Sequence, residues 1–144
     1  MIDLQINNAL TPGKVRDMER IMLAMPQVEI PVKHYFSKGV YAREILIPAG
    51  TTVTGKIHKF ANLNILSQGE MMVSTENGVQ LVRAPFTVVS PPGTKRIAHT
   101  LTDCVWTTIH GTEKTDLDAI ELEFTADSEQ EYLEFCATQQ IEGA

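Results

Sequence analysis

The sequence predicts a mainly β protein, a single antiparallel sandwich or barrel with one helix before it and one after it. Short β-rich segments separated by turn residues recur at intervals of roughly ten residues between positions 28 and 124. No helical pattern lies between these segments, and a length of 144 residues suits one domain. We therefore expect a single domain with an N-terminal helix over residues 1–27, a β-barrel over 28–126 and a C-terminal helix and tail over 127–144.

The first element is predicted to be an amphipathic helix. Thr11 is a suitable N-cap, Pro12 fits the first helical position and Pro26 ends the pattern. Apolar side chains recur at helical spacing in between, at Val15, Met18, Ile21, Met22 and Met25. We expect this apolar face to pack into the core.

The barrel is predicted to contain nine short strands. Asn77-Gly78 is a strong hairpin signal, and Pro or Gly residues separate most of the other segments. The predicted strands cover residues 41–47, 51–57, 62–66, 71–75, 79–82, 86–89, 97–101, 105–109 and 119–124.

The last segment is predicted to form a terminal helix that flanks the barrel. Asp127 or Ser128 is the expected cap. Its apolar face is supplied by Tyr132, Leu133, Phe135 and Cys136.

The composition excludes several functional classes. Twelve Lys and Arg against eighteen Asp and Glu give a net charge of -6, which argues against a binder of nucleic-acid polymers or of anionic membranes. No apolar run approaches the length that spans a bilayer, and the N-terminus lacks the pattern of a signal peptide. We expect a cytoplasmic protein with Cys104 and Cys136 as free thiols.

The acidic residues are concentrated near the C-terminus. Residues 112–144 contain one Lys and ten acidic residues, whereas residues 51–111 contain five basic and three acidic residues. The barrel is therefore mildly basic. It is compatible with anion binding if the acidic segment stays away from the barrel mouth. If the segment folds over the mouth, it supplies the counter-charge itself, and a purely structural barrel is then the favoured interpretation.

Two segments carry a recognisable pattern. GKIHKFANLNILSQG at 55–69 and PPGTKRIAH at 91–99 resemble the two motifs of the cupin family, which implies a jelly-roll barrel. In that family three His and one Glu of these motifs bind a divalent metal. Matching on the glycines and Pro91 places Lys56 and His58 at the first two His positions, Asn62 at the Glu and Arg96 at the third His. One of the four ligands is retained.

The substituted positions are poor metal ligands. Lys and Arg have no lone pair at neutral pH, and Asn offers only a weak neutral oxygen. The residues therefore favour a non-enzymatic protein without a bound cofactor. If there is a metal site, its ligands are His58, His99 and His110. His99 has the opposite strand parity to Arg96, so it is expected on the other face of its strand.

The same positions predict a polar recess. Strand alternation places Lys56, His58, Asn62 and Asn64 on one face, and the cupin resemblance implies that this face is the barrel interior, together with Arg96. On a later strand, either the face of Trp106, Thr108 and His110 or that of Thr107 and Ile109 lines the same cavity. Such a recess suits a small anion with a flat group, such as a nucleotide-like or phosphorylated molecule, with Trp106 as a stacking wall.

Nearly the whole chain also resembles small cupin-fold proteins of tailed bacteriophages, which implies a viral protein that acts in the host cytoplasm or in the virion. The first hypothesis is a non-enzymatic binder of a small host anion. The second is a virion or assembly component with a vestigial pocket, in which Lys56 and Arg96 pair with Glu44, Glu70 or the acidic C-terminal segment. The third is a metal-dependent cupin enzyme, an oxygenase or isomerase. We expect a homodimer formed through exposed strands, such as residues 28–36, or through the helices.

Overall fold

The computed structural model describes residues 11–24, 27–75 and 77–142. That part of the chain forms three helices and eleven strands. The helices are α1 (Pro12–Leu23), α2 (Leu117–Phe124) and α3 (Glu129–Glu142). The strands are β1 (Val32–Ser37), β2 (Val40–Ile47), β3 (Thr52–Thr54), β4 (Ile57–His58), β5 (Asn62–Gln68), β6 (Glu70–Thr75), β7 (Gly78–Arg83), β8 (Phe86–Ser90), β9 (Ile97–Thr100), β10 (Cys104–Gly111) and β11 (Thr125–Ala126).

Two antiparallel sheets enclose the core. One has the strand order β1-β2-β10-β5-β8 and the other β3-β9-β6-β7, while β4 and β11 form a small separate pair. The buried cluster takes side chains from both large sheets, so the sheets pack face to face. Its members are Ile47, Leu66, Met71, Val73, Val82 and Cys104. The mainly β architecture with terminal helices is confirmed, and most of the predicted strands from 41 to 109 are present with small shifts at their ends. The predicted strand at 51–57 is wrong as one element, because the structure divides it into β3 and β4, which pair in different sheets.

The N-terminal helix forms as predicted but packs through less of its apolar face. The Thr11 hydroxyl accepts a hydrogen bond from the Lys14 backbone N–H at 3.2 Å, which caps α1. Val15 is fully buried, whereas Met18 and Ile21 are exposed, so the prediction of a core-facing stripe is wrong at those two positions. Polar contacts supplement Val15, among them a 3.3 Å ion pair between Arg16 and Glu129. Met25 and Pro26 lie outside the described residues.

The predicted strand at 119–124 is wrong, because the structure has helix α2 there. A strand would place Ile120, Leu122 and Phe124 on one face, but Leu122 is 72% exposed while Ile120 and Phe124 are 4% and 7% exposed. Burial of positions i and i+4 is the helical pattern. The Asp116 carboxylate accepts a hydrogen bond from the Ala119 backbone N–H at 3.1 Å and so caps α2.

The C-terminal helix is confirmed as α3. The Ser128 hydroxyl accepts a hydrogen bond from the Glu131 backbone N–H at 3.1 Å, as expected of one of the two predicted caps. Phe135 packs edge-on against Phe60 with ring centroids 5.3 Å apart. Cys104 and Cys136 are free thiols. Among the described residues, no helix has the length and apolarity that crossing a membrane requires.

Candidate functional site

A cavity of about 680 Å³ lies between the two large sheets. Its exposed lining residues come from β1, β2, the turn between β3 and β4, and α2, so it opens between the β1–β2 edge of one sheet and the β3 edge of the other. Helix α2 covers one end of this opening through Ile120 and Phe124, which pack on Tyr41. The opposite end is filled by the buried core cluster. All the predicted contact residues line the cavity: Lys56, His58, Asn62, Asn64, Arg96 and Trp106.

The inner face of the five-stranded sheet is arranged in rows across the strands. In the polar row, Arg43 on β2 lies opposite Thr108 on β10, which lies opposite Asn64 on β5. In the apolar row, Ile45 lies opposite Trp106, which lies opposite Leu66. The sequence allowed either face of β10 to line the cavity. In the structure it is the face of Trp106, Thr108 and His110.

A hydrogen-bonded network fixes the buried polar wall. Asn64 donates from Nδ2 to Asn62 Oδ1 at 2.7 Å and to Ser90 Oγ at 2.8 Å. Thr108 donates from Oγ1 to Asn64 Oδ1 at 2.8 Å. Because these amides are buried and bonded to protein groups, they shape the cavity wall and leave little hydrogen-bonding capacity for a ligand.

The guanidinium of Arg96 belongs to the same wall. It donates to Ser90 Oγ at 2.8 Å and to the Ser74 carbonyl oxygen at 2.6 Å. These bonds anchor a positive charge where the cupin resemblance places a metal-binding His. Arg96 is thus a positioned cation of the cavity rather than a mobile surface side chain.

Arg43 is the cavity cation that the sequence analysis missed. It lies in the polar row, is accessible to solvent, and makes no hydrogen bond or ion pair within the described part of the chain. Its guanidinium donors are therefore available to a ligand. The signal was present in the sequence, since Tyr41, Arg43, Ile45 and Ile47 alternate along one strand and three of the four are apolar or aromatic.

His58 is a neutral, incompletely bonded group in the cavity. Its ring stacks on that of His110 with centroids 5.4 Å apart, and its Nδ1 is buried without a hydrogen-bond partner among the described residues. Burial, followed by the charges of His110, Arg43 and Arg96, lowers the pKa of His58 to about 4. Burial also lowers the pKa of His110. Both imidazoles are uncharged at neutral pH.

Lys56 lies at the opening, where acidic residues of the C-terminal segment meet it. Its ammonium pairs with Glu121 on α2 and lies 3.5 Å from an Asp127 carboxylate oxygen. The hydrogen bond to Glu121 raises the pKa of Lys56, so the ammonium keeps its charge at neutral pH. The acidic segment therefore does fold over the mouth and supplies the counter-charge for Lys56. Arg43 and Arg96 also line the cavity, and neither contributes to the ion pairs of Lys56.

The donor set does not fit the metal of the cupin motifs. His58 occupies one ligand position, while Lys56 and Arg96 offer cations at two others. His99 points away from the cavity, as its parity predicts, and its Nδ1 lies 2.8 Å from Thr52 Oγ1. The structure thus brings His58 and His110 together without His99. Within residues 11–24, 27–75 and 77–142 no group of three or more His, Cys, Asp or Glu could hold an ion.

Comparison with known proteins establishes the fold class. No family model and no curated protein sequence matches the chain. The structure of KdgF from a Halomonas species matches with a TM-score of 0.52 and 17% identity, covering 66% of this chain and 90% of that one. A cupin-superfamily protein from Desulfitobacterium hafniense matches with a TM-score of 0.50 and 11% identity, covering 60% and 81%. The chain therefore has the cupin jelly-roll fold that the two motifs predicted.

Proposed function

We propose that this chain is a non-enzymatic cupin-fold protein that binds a small anion inside its barrel. The observation that carries the proposal is Arg43, a cation in the cavity wall whose donors are not used by the described residues. Arg96 adds a second guanidinium to the same wall. A guanidinium matches the oxygens of a carboxylate or phosphate in geometry as well as charge. In a bacteriophage, such a protein would sequester a host metabolite.

Arg43→Gln should weaken stabilisation by anions. Inorganic phosphate and sulfate at millimolar concentrations are expected to raise the melting temperature of the wild type, because a ligand that binds only the folded state stabilises it by mass action. Arg43→Gln should lower the affinity at least about tenfold, since charge-assisted bonds to an anion are lost. Thermal shift and calorimetric titration at low ionic strength measure both effects.

Arg83→Gln is the matched control for that experiment. Arg83 is exposed on β7, pairs with Glu70 at 2.5 Å, and does not line the cavity. The substitution removes the same charge at a distance from the proposed site. The proposal is wrong if no anion stabilises the wild type, or if both variants respond to phosphate as the wild type does.

The second candidate function is an interaction module of a virion or assembly with a vestigial pocket. The observation that favours it is the pairing of Lys56 with Glu121 and Asp127, because one cation of the opening is already neutralised. This candidate predicts that no small anion shifts the melting temperature of the wild type. The same titration therefore separates the two functions.

We propose in addition that two copies associate through β1. Among the described residues this strand lies at the edge of the five-stranded sheet, and all six of its residues are exposed. Val32, Tyr35 and Phe36 present apolar surface there, and an unpaired strand edge accepts a second strand. Light scattering after size-exclusion chromatography should then give twice the chain mass of 16.0 kDa. A mass of one chain at the highest attainable concentration would contradict this expectation.

A further inference from the structure

We infer that the ligand is a small organic acid with an apolar body, bound with its acid group at Arg43 and its body against the apolar row. This inference rests on the proposed function and narrows it. The proposed function requires an anion of any kind, whereas the cavity wall next to Arg43 is apolar. An experiment can therefore disprove the binding of an apolar body without disproving the anion site at Arg43.

The polar row and the apolar row lie next to each other on the cavity wall. Arg43 and Ile45 are two residues apart on the inner face of β2, and Thr108 and Trp106 are two residues apart on that of β10. Two residues of a strand span about 7 Å. A carboxylate at Arg43 and an apolar group at Ile45 and Trp106 are therefore separated by the length of a short linker of a few bonds.

The side chains of Ile45 and Trp106 in the apolar row are not completely buried. Both pack against the core cluster, and both line the cavity. Val53 and Ala98, from the opposite sheet, are also partly buried, pack against the core cluster and line the cavity. Apolar surface contributed by both sheets forms a slot, and filling this slot removes it from water.

The cavity wall offers few free hydrogen-bonding groups for a polar ligand body. A sugar or a second phosphate needs polar partners beyond the anion site, and a buried polar group without a partner is costly. In the polar row and at the next inward position of β5, the buried amides of Asn64 and Asn62 are already bonded to each other and to protein hydroxyls or carbonyls. This arrangement favours a hydrocarbon or aromatic body over a nucleotide.

A series of probes that vary the charge and the apolar body separately tests the inference. Acetate, 3-phenylpropionate, neutral 3-phenylpropanamide, inorganic phosphate and adenosine monophosphate are titrated into the full chain by calorimetry. We expect 3-phenylpropionate to bind at least about tenfold more tightly than acetate, because burying the apolar body adds affinity. The amide should bind at least about tenfold more weakly than the acid, because it cannot form an ionic bond with Arg43.

Adjacent residues on opposite faces of β2 provide matched variants. Ile45→Thr makes the apolar row polar, whereas Leu46→Thr makes the same kind of change on the outer face, where Leu46 is exposed. Ile45→Thr should weaken 3-phenylpropionate about fivefold or more and leave phosphate unchanged, and Leu46→Thr should change neither. Val53→Thr on the edge strand β3 gives the same comparison if Ile45→Thr does not fold.

Each outcome has a definite meaning. If acetate or phosphate binds as tightly as 3-phenylpropionate, or if adenosine monophosphate binds more tightly, the inference is overturned and the proposed anion site survives. If Ile45→Thr and Val53→Thr leave 3-phenylpropionate unaffected, the apolar row is not its site and the inference is also overturned. If none of the charged probes binds, the proposed function itself is wrong.

Discussion

Lowering the pH from about 7.5 to about 4 is expected to remove about 3 kcal/mol of the free energy of unfolding through His58 alone. Burial, with the charges of His110, Arg43 and Arg96, lowers the pKa of His58 to about 4 in the folded chain, against an ordinary value of 6.5. Between these two values the unfolded chain binds a proton that the folded chain does not. The stabilisation is therefore complete above pH 6.5 and is lost as the pH falls toward 4.

Protonation of other groups also lowers the free energy of unfolding in acid. Their contribution must be distinguished from that of His58. Burial lowers the pKa of His110. Burial alone would raise the pKa of Glu19, but the hydrogen bond from Thr54 and the charge of Lys95 lower it overall, so its stabilisation is also lost in acid. The comparison of variants across pH isolates the contribution of one residue, because the remaining groups are common to all chains.

His58→Gln is the variant that tests this pH dependence. Urea unfolding curves at several pH values between about 7.5 and 4 should show a loss for the wild type that exceeds the loss for His58→Gln by about 3 kcal/mol. His99→Gln is the control, because His99 lies on the outer face and is exposed. If the wild type and His58→Gln lose stability in parallel, burial of a neutral His58 in the cavity is contradicted.

Most of the barrel was predictable because the turn residues in the sequence lie where the paired strands of the structure end. Turn residues such as Gly50 and Gly69 separate β-rich segments, and both adopt positive φ values of +72° and +95° at those turns. The segment 119–124 was not predictable from alternation. Its sequence Ala-Ile-Glu-Leu-Glu-Phe fits a period of two as well as a helix with Ile120 and Phe124 on one face. Packing of that face against Tyr41 decides between them.

The candidate site was predictable only where the motif fixes the register. Asn62, Asn64 and Arg96 line the cavity as expected because the two motif glycines anchor their positions. The partner of Lys56 was not predictable, since Glu121 lies 65 residues further along the chain and on an element predicted to be a strand. Arg43 was missed because it lies outside both motifs. Alternation along residues 41–47 could have placed it on the inward face, and the pairing of β2 with β10 then places it in the polar row.

Gly69→Ala is expected to lower the free energy of unfolding by more than about 3 kcal/mol. Gly69 joins β5 to β6 with φ at +95°, where an L side chain is strained. A Cβ there would lie 2.4 Å from the Asp103 carbonyl oxygen and 2.6 Å from Cys104 Sγ. Cys104 is fully buried at the start of β10, so neither atom can retreat without moving the strand that carries Trp106 and Thr108.

Alanine substitutions at two other glycines distinguish the cost of backbone strain from the cost of steric contact. Gly50 has φ at +72° with nothing within 4 Å of an added Cβ, so Gly50→Ala should cost about 1 kcal/mol from strain alone. Gly55 has open space and no such φ, so Gly55→Ala should stay within about 0.5 kcal/mol of the wild type or stabilise it slightly. Urea unfolding of the three variants measures the series. Equal losses for Gly69→Ala and Gly50→Ala would contradict the close approach of β10 to this turn.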